Sequence, residues 1–131
     1  MRIFTFLIAV ILLGSMQETY ADPSFECSIG LGSQVEIAAC VAKTETAVEK
    51  TIEMTLGFAS NAATELDEAT GRSSTLPALE KAQEAWSAFR QAHCDYVGST
   101  FGGGSGTGIA IRSCRVELGR TRVKELMGFA Q

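Results

Sequence analysis

Four cysteines constrain this chain more than any other feature of its 131 residues. Cys27, Cys40, Cys94 and Cys114 are the full set, and all follow an N-terminal stretch that reads as an export signal. That stretch begins Met1-Arg2, continues "IFTFLIAVILL" with Thr5 as its one polar residue, and ends "ETYA" before Asp22. A positive start, a short apolar run and small residues before a cut are the parts of a secretory signal peptide. The run is too short to span a bilayer comfortably, so an uncleaved anchor is the lesser reading. Cleavage is expected after Ala21, with Thr19 and Ala21 as the small positions, leaving residues 22–131 as a single domain. A lipid anchor would need a cysteine soon after the apolar run, among small residues, whereas Cys27 follows Phe25-Glu26. The mature chain is therefore expected to be periplasmic or secreted, with no membrane anchor.

An even number of cysteines in a small exported chain implies two disulfides, and four cysteines allow three pairings. A structural zinc site is not expected, because there is no C-x-x-C and His93 is the only histidine.

The rest of the mature chain has helical periodicity. "SQVE" sets Ser33 and Glu36 at capping-box spacing. Val41, Val48, Ile52, Leu56, Ala59, Ala63 and Leu66 then recur every three to four residues, apart from one skipped turn. Lys43, Glu45, Glu49, Lys50 and Glu53 fall between them as a solvated face. Gly57 and Asn61 weaken the middle of this helix, so a kink or break is expected there if anywhere. "TGRSS" (70–74) is a turn, and a second helix opens at "TLPALE" with Pro77 in its first turn. Its stripe reads Leu79, Ala82, Trp86, Phe89, His93 and Val97. A third helix, after the glycines, carries Ile111, Cys114, Leu118, Arg122, Leu126 and Phe129 at the same spacing. No strand alternation and no internal repeat is visible. The expected fold is all-α: a small bundle of three main helices with a short N-terminal arm.

Such a bundle has a modest core, and small exported domains of this kind lean on disulfides. Cys94 falls near the end of the second helix and Cys114 early in the third. Joining them would clamp two helices across the glycine loop, and closing about 20 residues stabilises by roughly 3 kcal/mol in the chain-entropy model. Cys27–Cys40 would likewise pin the arm to the first turns of the first helix. These two local bonds are the expected pairing.

The stretch "FGGGSGTG" (101–108) is the most conspicuous local composition. It fails as a nucleotide motif. G-x-G-x-x-G can start at Gly102, Gly104 or Gly106, and its sixth position would then be Thr107, Ile109 or Ile111. A Walker pattern from Gly103 to Gly108 would need Lys where Ile109 stands. Both motifs also require a preceding strand, and here a helix precedes. The glycines are better read as a sharp reversal between two helices.

Removing residues 1–21 takes out Arg2 and Glu18, leaving 10 basic and 14 acidic residues, a formal charge of −4. Nucleic-acid binding needs a basic patch and is excluded; a mildly acidic surface would favour a basic partner. Glu65, Asp67 and Glu68 lie at a helix end, where negative charge opposes the dipole, and are read as a solvated acidic rim. Paired carboxylates for glycoside chemistry would need a cleft between them, which nothing in the sequence indicates. His93 beside Cys94 suggests a thiol–imidazole pair, but an oxidised Cys94 leaves no nucleophile. His93 is therefore expected to help cover the helix pair. Trp86 and Arg90, four apart, share a helical face, where Arg90 can stack on the indole or pair with a carboxylate of a facing helix. No nucleophile–base pair, metal set or cofactor motif is present, so neither an enzyme nor a cofactor is expected.

Taken together, "WSAFRQAHC", "FGGGSGTGIAIRSC" and "RVELGRTRVKEL" resemble the LprI N-terminal-like family of exported bacterial domains, named after a mycobacterial lipoprotein lysozyme inhibitor. The family pattern falls on Trp86, Phe89-Arg90, Cys94, Gly102-Gly103, Cys114, Arg120, Arg122 and Leu126. Cys27 and "EIAACVAKTE" extend the resemblance over nearly all of residues 25–129. Gly119 stands where the family often has a small hydroxyl residue, a change expected to loosen that helix. The founding member's lipoprotein cysteine is absent. The resemblance implies a disulfide-stapled periplasmic domain whose shared residues are fold determinants, and a protein partner such as a lysozyme or other peptidoglycan hydrolase. The loop carrying Ser99, Thr100, Phe101, Gly104, Ser105 and Gly106 is the candidate contact surface. Immunity against a rival's cell-wall toxin, or a structural or stress role in the envelope, are the alternative functions.

Overall fold

A computed structural model describes residues 22–30 and 32–130; the candidate signal peptide lies outside them. Helix α1 spans Pro23–Ser28, α2 Gln34–Thr70, α3 Thr75–Ser99 and α4 Thr107–Phe129, and no strand occurs among the described residues. The expected short arm is thus itself helical. Asp22 caps it by accepting from the Ser24 amide at 2.7 Å, and Pro23 in the first turn needs no donor. The capping box at the start of α2 forms as the spacing indicated: Ser33 Oγ accepts from the Glu36 amide at 3.2 Å, and Glu36 Oε2 from the Ser33 amide at 3.1 Å.

Both expected disulfides are formed, Cys27–Cys40 and Cys94–Cys114. Helix α4 is the central element, packing against all three others and most extensively along α2. Val41 meets Ile109 in one cluster, and Ile52 and Ala59 meet Leu126 in another. The numbers rise together along both helices, so α2 and α4 run in the same direction and α3 returns between them. Both disulfides consequently lie at one end of the bundle, with α1 and the glycine loop. The 37 residues of α2 span about 55 Å, against roughly 35 Å for α4. Gly57 does not break α2, because it faces outward where a side chain would meet nothing.

Three details of the stripes differ from the periodicity reading. First, the skipped turn of α2 is occupied by Glu45, which is buried and pairs with Arg112 and, at 3.5 Å, with Arg115. The solvated reading fails there because α4 brings two guanidinium groups to it. Second, α3 is rotated by about one residue from the expected register. Phe89 and His93 are exposed and stack on each other, with ring centroids 5.3 Å apart. Arg90, Cys94 and Gly98 are buried instead. A helix has room for one inward stripe, and the Cys94 disulfide fixes which one. Third, Leu66 and Phe129 are exposed at the far end of the bundle.

Gly119 does not loosen α4. It is buried at the closest approach of α2 and α4, where a β-carbon would sit 2.5 Å from Val48 Cγ1 and 3.2 Å from Ile52 Cδ1. A hydroxyl side chain there would push the helices apart unless Val48 moved. Gly98 acts similarly between α3 and α4, since a β-carbon on it would overlap Ile111.

Asp67 corrects the dipole argument. It sits at the C-terminus of α2, but its carboxylate faces the N-terminus of α3. There it accepts from the amides of Ser74, Thr75 and Leu76 at 3.3, 2.9 and 3.0 Å. Ser74, at the capping position, makes no side-chain cap of its own. Asp67 supplies it from across the turn, where negative charge is favourable.

Candidate functional site

The middle of the bundle is a polar layer between the two apolar clusters. Arg90 donates through Nε and Nη2 to the Arg115 carbonyl at 3.0 and 2.6 Å, and through Nη2 to Glu49 on α2. Its guanidinium lies 5.2 Å from the centre of the Trp86 ring, so both expectations for this residue, stacking and ion pairing, are met. Arg122, on α4, lies 5.6 Å from the same ring and donates to Gln83 at 2.9 Å and Glu125 at 3.0 Å. Trp86 thus gathers two cations, one from its own helix and one from the facing one. Two residues away, Arg120 points to the other side of α4 and grips Glu26 of α1 with two bonds of 2.9 and 2.8 Å. The Arg-x-Arg pair therefore fastens a different helix with each arginine. Leu126 is fully buried below this layer. Trp86, Arg90, Arg120, Arg122 and Leu126 make contacts between helices, and none of them lines the groove described below.

A second group of features faces outward at the stapled end. Between α3 and α4 the chain reverses through short backbone bonds, Phe101 N–H to Gly98 O at 3.1 Å and Thr107 N–H to Gly104 O at 3.0 Å among them. Gly102 and Gly103 take left-handed conformations, with φ of 61° and 81°, which is what this reversal requires of them. Ser99, Thr100, Gly104 and Ser105 are exposed along the turn. Phe101, 52% exposed, folds back over Gly106, where a β-carbon would come within 3.3 Å of its ring.

Beneath Phe101 lies an open groove of about 520 Å³ between α1, α4 and the loop. Phe25 and Ser28 of α1 form one wall, and His93, Val97 and Phe101 the opposite one. Ile37 of α2 and Ile109, Ser113 and Leu118 of α4 line the space between them. Asp22 and Glu117 supply its charge. Burial, together with Asp22 and Glu26 nearby, pushes the Glu117 carboxyl above its ordinary range against the opposing pull of Arg120. Glu26 moves the other way, because its hydrogen bonds from Arg120 stabilise the carboxylate. Ser113 Oγ is buried and has no hydrogen-bond partner among the described residues.

Only Phe101 and Gly106 of the six loop residues singled out from sequence reach this groove. Asp22, Phe25, Ser113 and Glu117 were not singled out. No local signal marks them, since they become neighbours only when α1 folds across the bundle. Among the described residues no helix is long and apolar enough to cross a membrane, and no group of three or more His, Cys, Asp or Glu residues could hold a metal ion.

Fold and site together define a disulfide-stapled helical bundle with an aromatic-rimmed groove and a projecting turn. The model of one family, Lysozyme inhibitor LprI, matches residues 27–126, from the first cysteine to the buried Leu126. The chain belongs to the LprI lysozyme inhibitor family. An uncharacterized protein of Rhizobium meliloti (strain 1021) is 41% identical over 59 residues, covering 43% of this chain and 42% of that protein. The chain thus matches less than half the length of that relative. No solved structure matches.

Proposed function

We propose that the protein is an exported, non-enzymatic binding protein that inhibits a lysozyme or related peptidoglycan hydrolase, after removal of residues 1–21 by a signal peptidase. The observation that carries this reading is the placement of Phe101: an exposed aromatic on a short, hydrogen-bonded turn, at the one end of the bundle where both disulfides lie. An inhibitor must bring a fixed feature to the mouth of a substrate cleft, and a turn based on a covalent staple loses little conformational entropy on docking. Two disulfides also suit an oxidising compartment such as the periplasm. Family membership supplies the class of partner.

A turbidity assay with cell-wall suspensions and lysozymes of the C, G and I types tests the reading. The oxidised protein is expected to slow clearing by at least one of them. No protection at micromolar excess against any would refute it. Inhibition that survives reduction of the disulfides would show that the staple does not position the turn.

A further inference from the structure

The groove beneath Phe101 has a composition more specific than a general contact surface. Its walls are apolar at Phe25, Ile37, Val97 and Phe101, a lining suited to the methylene stem of a long side chain. Its charge comes from Asp22 and Glu117, and no lysine or arginine is among its lining residues. Arg120, three residues beyond Glu117 on α4, donates two bonds to Glu26. Asp22 uses Oδ1 to cap α1 at the groove's edge. In the lining, Ser113, only 4% exposed, leaves a hydroxyl oxygen with no partner. Two carboxylates and an unpartnered hydroxyl offer acceptors, and Glu117, exposed at the groove, has the like charges of Asp22 and Glu26 near it as well as the cation of Arg120. A ligand that answers all of this brings a positive charge and several donors on an apolar stem.

We infer that the groove between α1 and the α3–α4 turn receives a lysine or arginine side chain of the protein partner, stem against Phe25 and Phe101, charge at Asp22 and Glu117. This rests on the binding-protein reading above and names the chemistry by which the partner is held. Phe101 and the groove then act together, the ring lying along the partner's surface while the cation enters beside it.

The test uses ¹⁵N-labelled, disulfide-intact protein titrated with acetyl-arginine amide, and with acetyl-citrulline amide, which has the same shape without the charge. Amide signals of Val97, Phe101, Ser113 and Glu117 are expected to shift with the arginine probe and at least fivefold less with the citrulline one. Glu117→Gln is expected to weaken the arginine response at least fivefold. The fold should tolerate it, since Glu117 is exposed and the change removes a charge that lies near the like charges of Asp22 and Glu26. Asp22→Asn, which keeps the helix cap, should weaken the response in the same direction. Equal shifts from both probes, or shifts centred elsewhere, would overturn the inference. So would concentration-dependent shifts of these signals without any probe, which would assign the groove to a second copy of the chain. The two readings separate cleanly. A positive titration with no inhibition in the lysozyme panel leaves the groove and removes the hydrolase. Inhibition unchanged by Glu117→Gln, with a negative titration, does the reverse.

Discussion

The two ends of the bundle are held by different kinds of force. At the stapled end, two covalent bonds and the Glu26–Arg120 grip fasten α1, α2, α3 and α4 around a small apolar cluster of Cys27, Val41 and Ile109. At the open end there is no covalent link. Leu126 packs against Ile52 and Ala59, and one carboxylate, Asp67, ties the α2–α3 turn. The stapled end can therefore leave aromatic side chains in solvent and keep a groove unfilled, because its geometry does not depend on how much apolar surface it buries. The open end rests on packing and on the Asp67 tie alone, although it too exposes Leu66 and Phe129 and leaves a space of about 460 Å³ at the α2–α3 turn.

This contrast can be broken at several points. The largest effect is expected at the open end. Leu126→Ala should destabilise by about 4 kcal/mol, the usual cost of a cavity at a fully buried leucine, read by urea unfolding of the oxidised protein. Replacing Cys94 and Cys114 together by alanine should cost about 3 kcal/mol through the freed 20-residue span. It should also abolish groove binding, whereas Leu126→Ala should leave binding intact at temperatures where the protein remains folded. Equal loss of binding in both variants would show that the ends are not independent.

Gly119→Ala tests the boundary between them. The added methyl would meet Val48 and Ile52 and should cost about 2 kcal/mol as overpacking, with a concurrent Val48→Ala restoring part of it. A smaller effect is expected from acid. The amides of Leu76 and Thr75 hold Asp67 down at about 2, against an ordinary 3.8. A depressed carboxylate contributes stability above its unfolded value and loses it as pH falls through the folded one. The melting-temperature difference between the wild type and Asp67→Asn should therefore be constant at neutral pH, shrink as pH falls below about 4 and vanish only below about pH 2. A difference that does not shrink between about pH 5 and pH 2 would mean that Asp67 acts by packing rather than charge.

What the sequence disclosed and what it hid divide along the same line. The three main helices, their turns and both disulfides were legible, because capping residues, punctuating glycines and cysteine positions are local signals, whereas α1 was expected only as an arm. The register of α3 was not. Phe89 and Arg90 are neighbours, and hydropathy alone turns phenylalanine inward; only the spacing of Trp86, Arg90, Cys94 and Gly98, each four apart, points to the buried stripe. Glu45 looked like a gap in an apolar stripe because its partners, Arg112 and Arg115, lie far along the chain. The groove was invisible for the same reason. It is assembled from α1, the loop and α4, and no single segment carries its pattern.

The order of the disulfides has a consequence for how the molecule is made. Each joins a cysteine to the next one along the chain, first to second and third to fourth, with separations of 13 and 20 residues. A chain delivered N-terminus first into an oxidising space exposes its thiols in that same order. An oxidant that coupled each thiol to the next one to arrive would produce these two bonds directly, with no mispaired bridge to reshuffle.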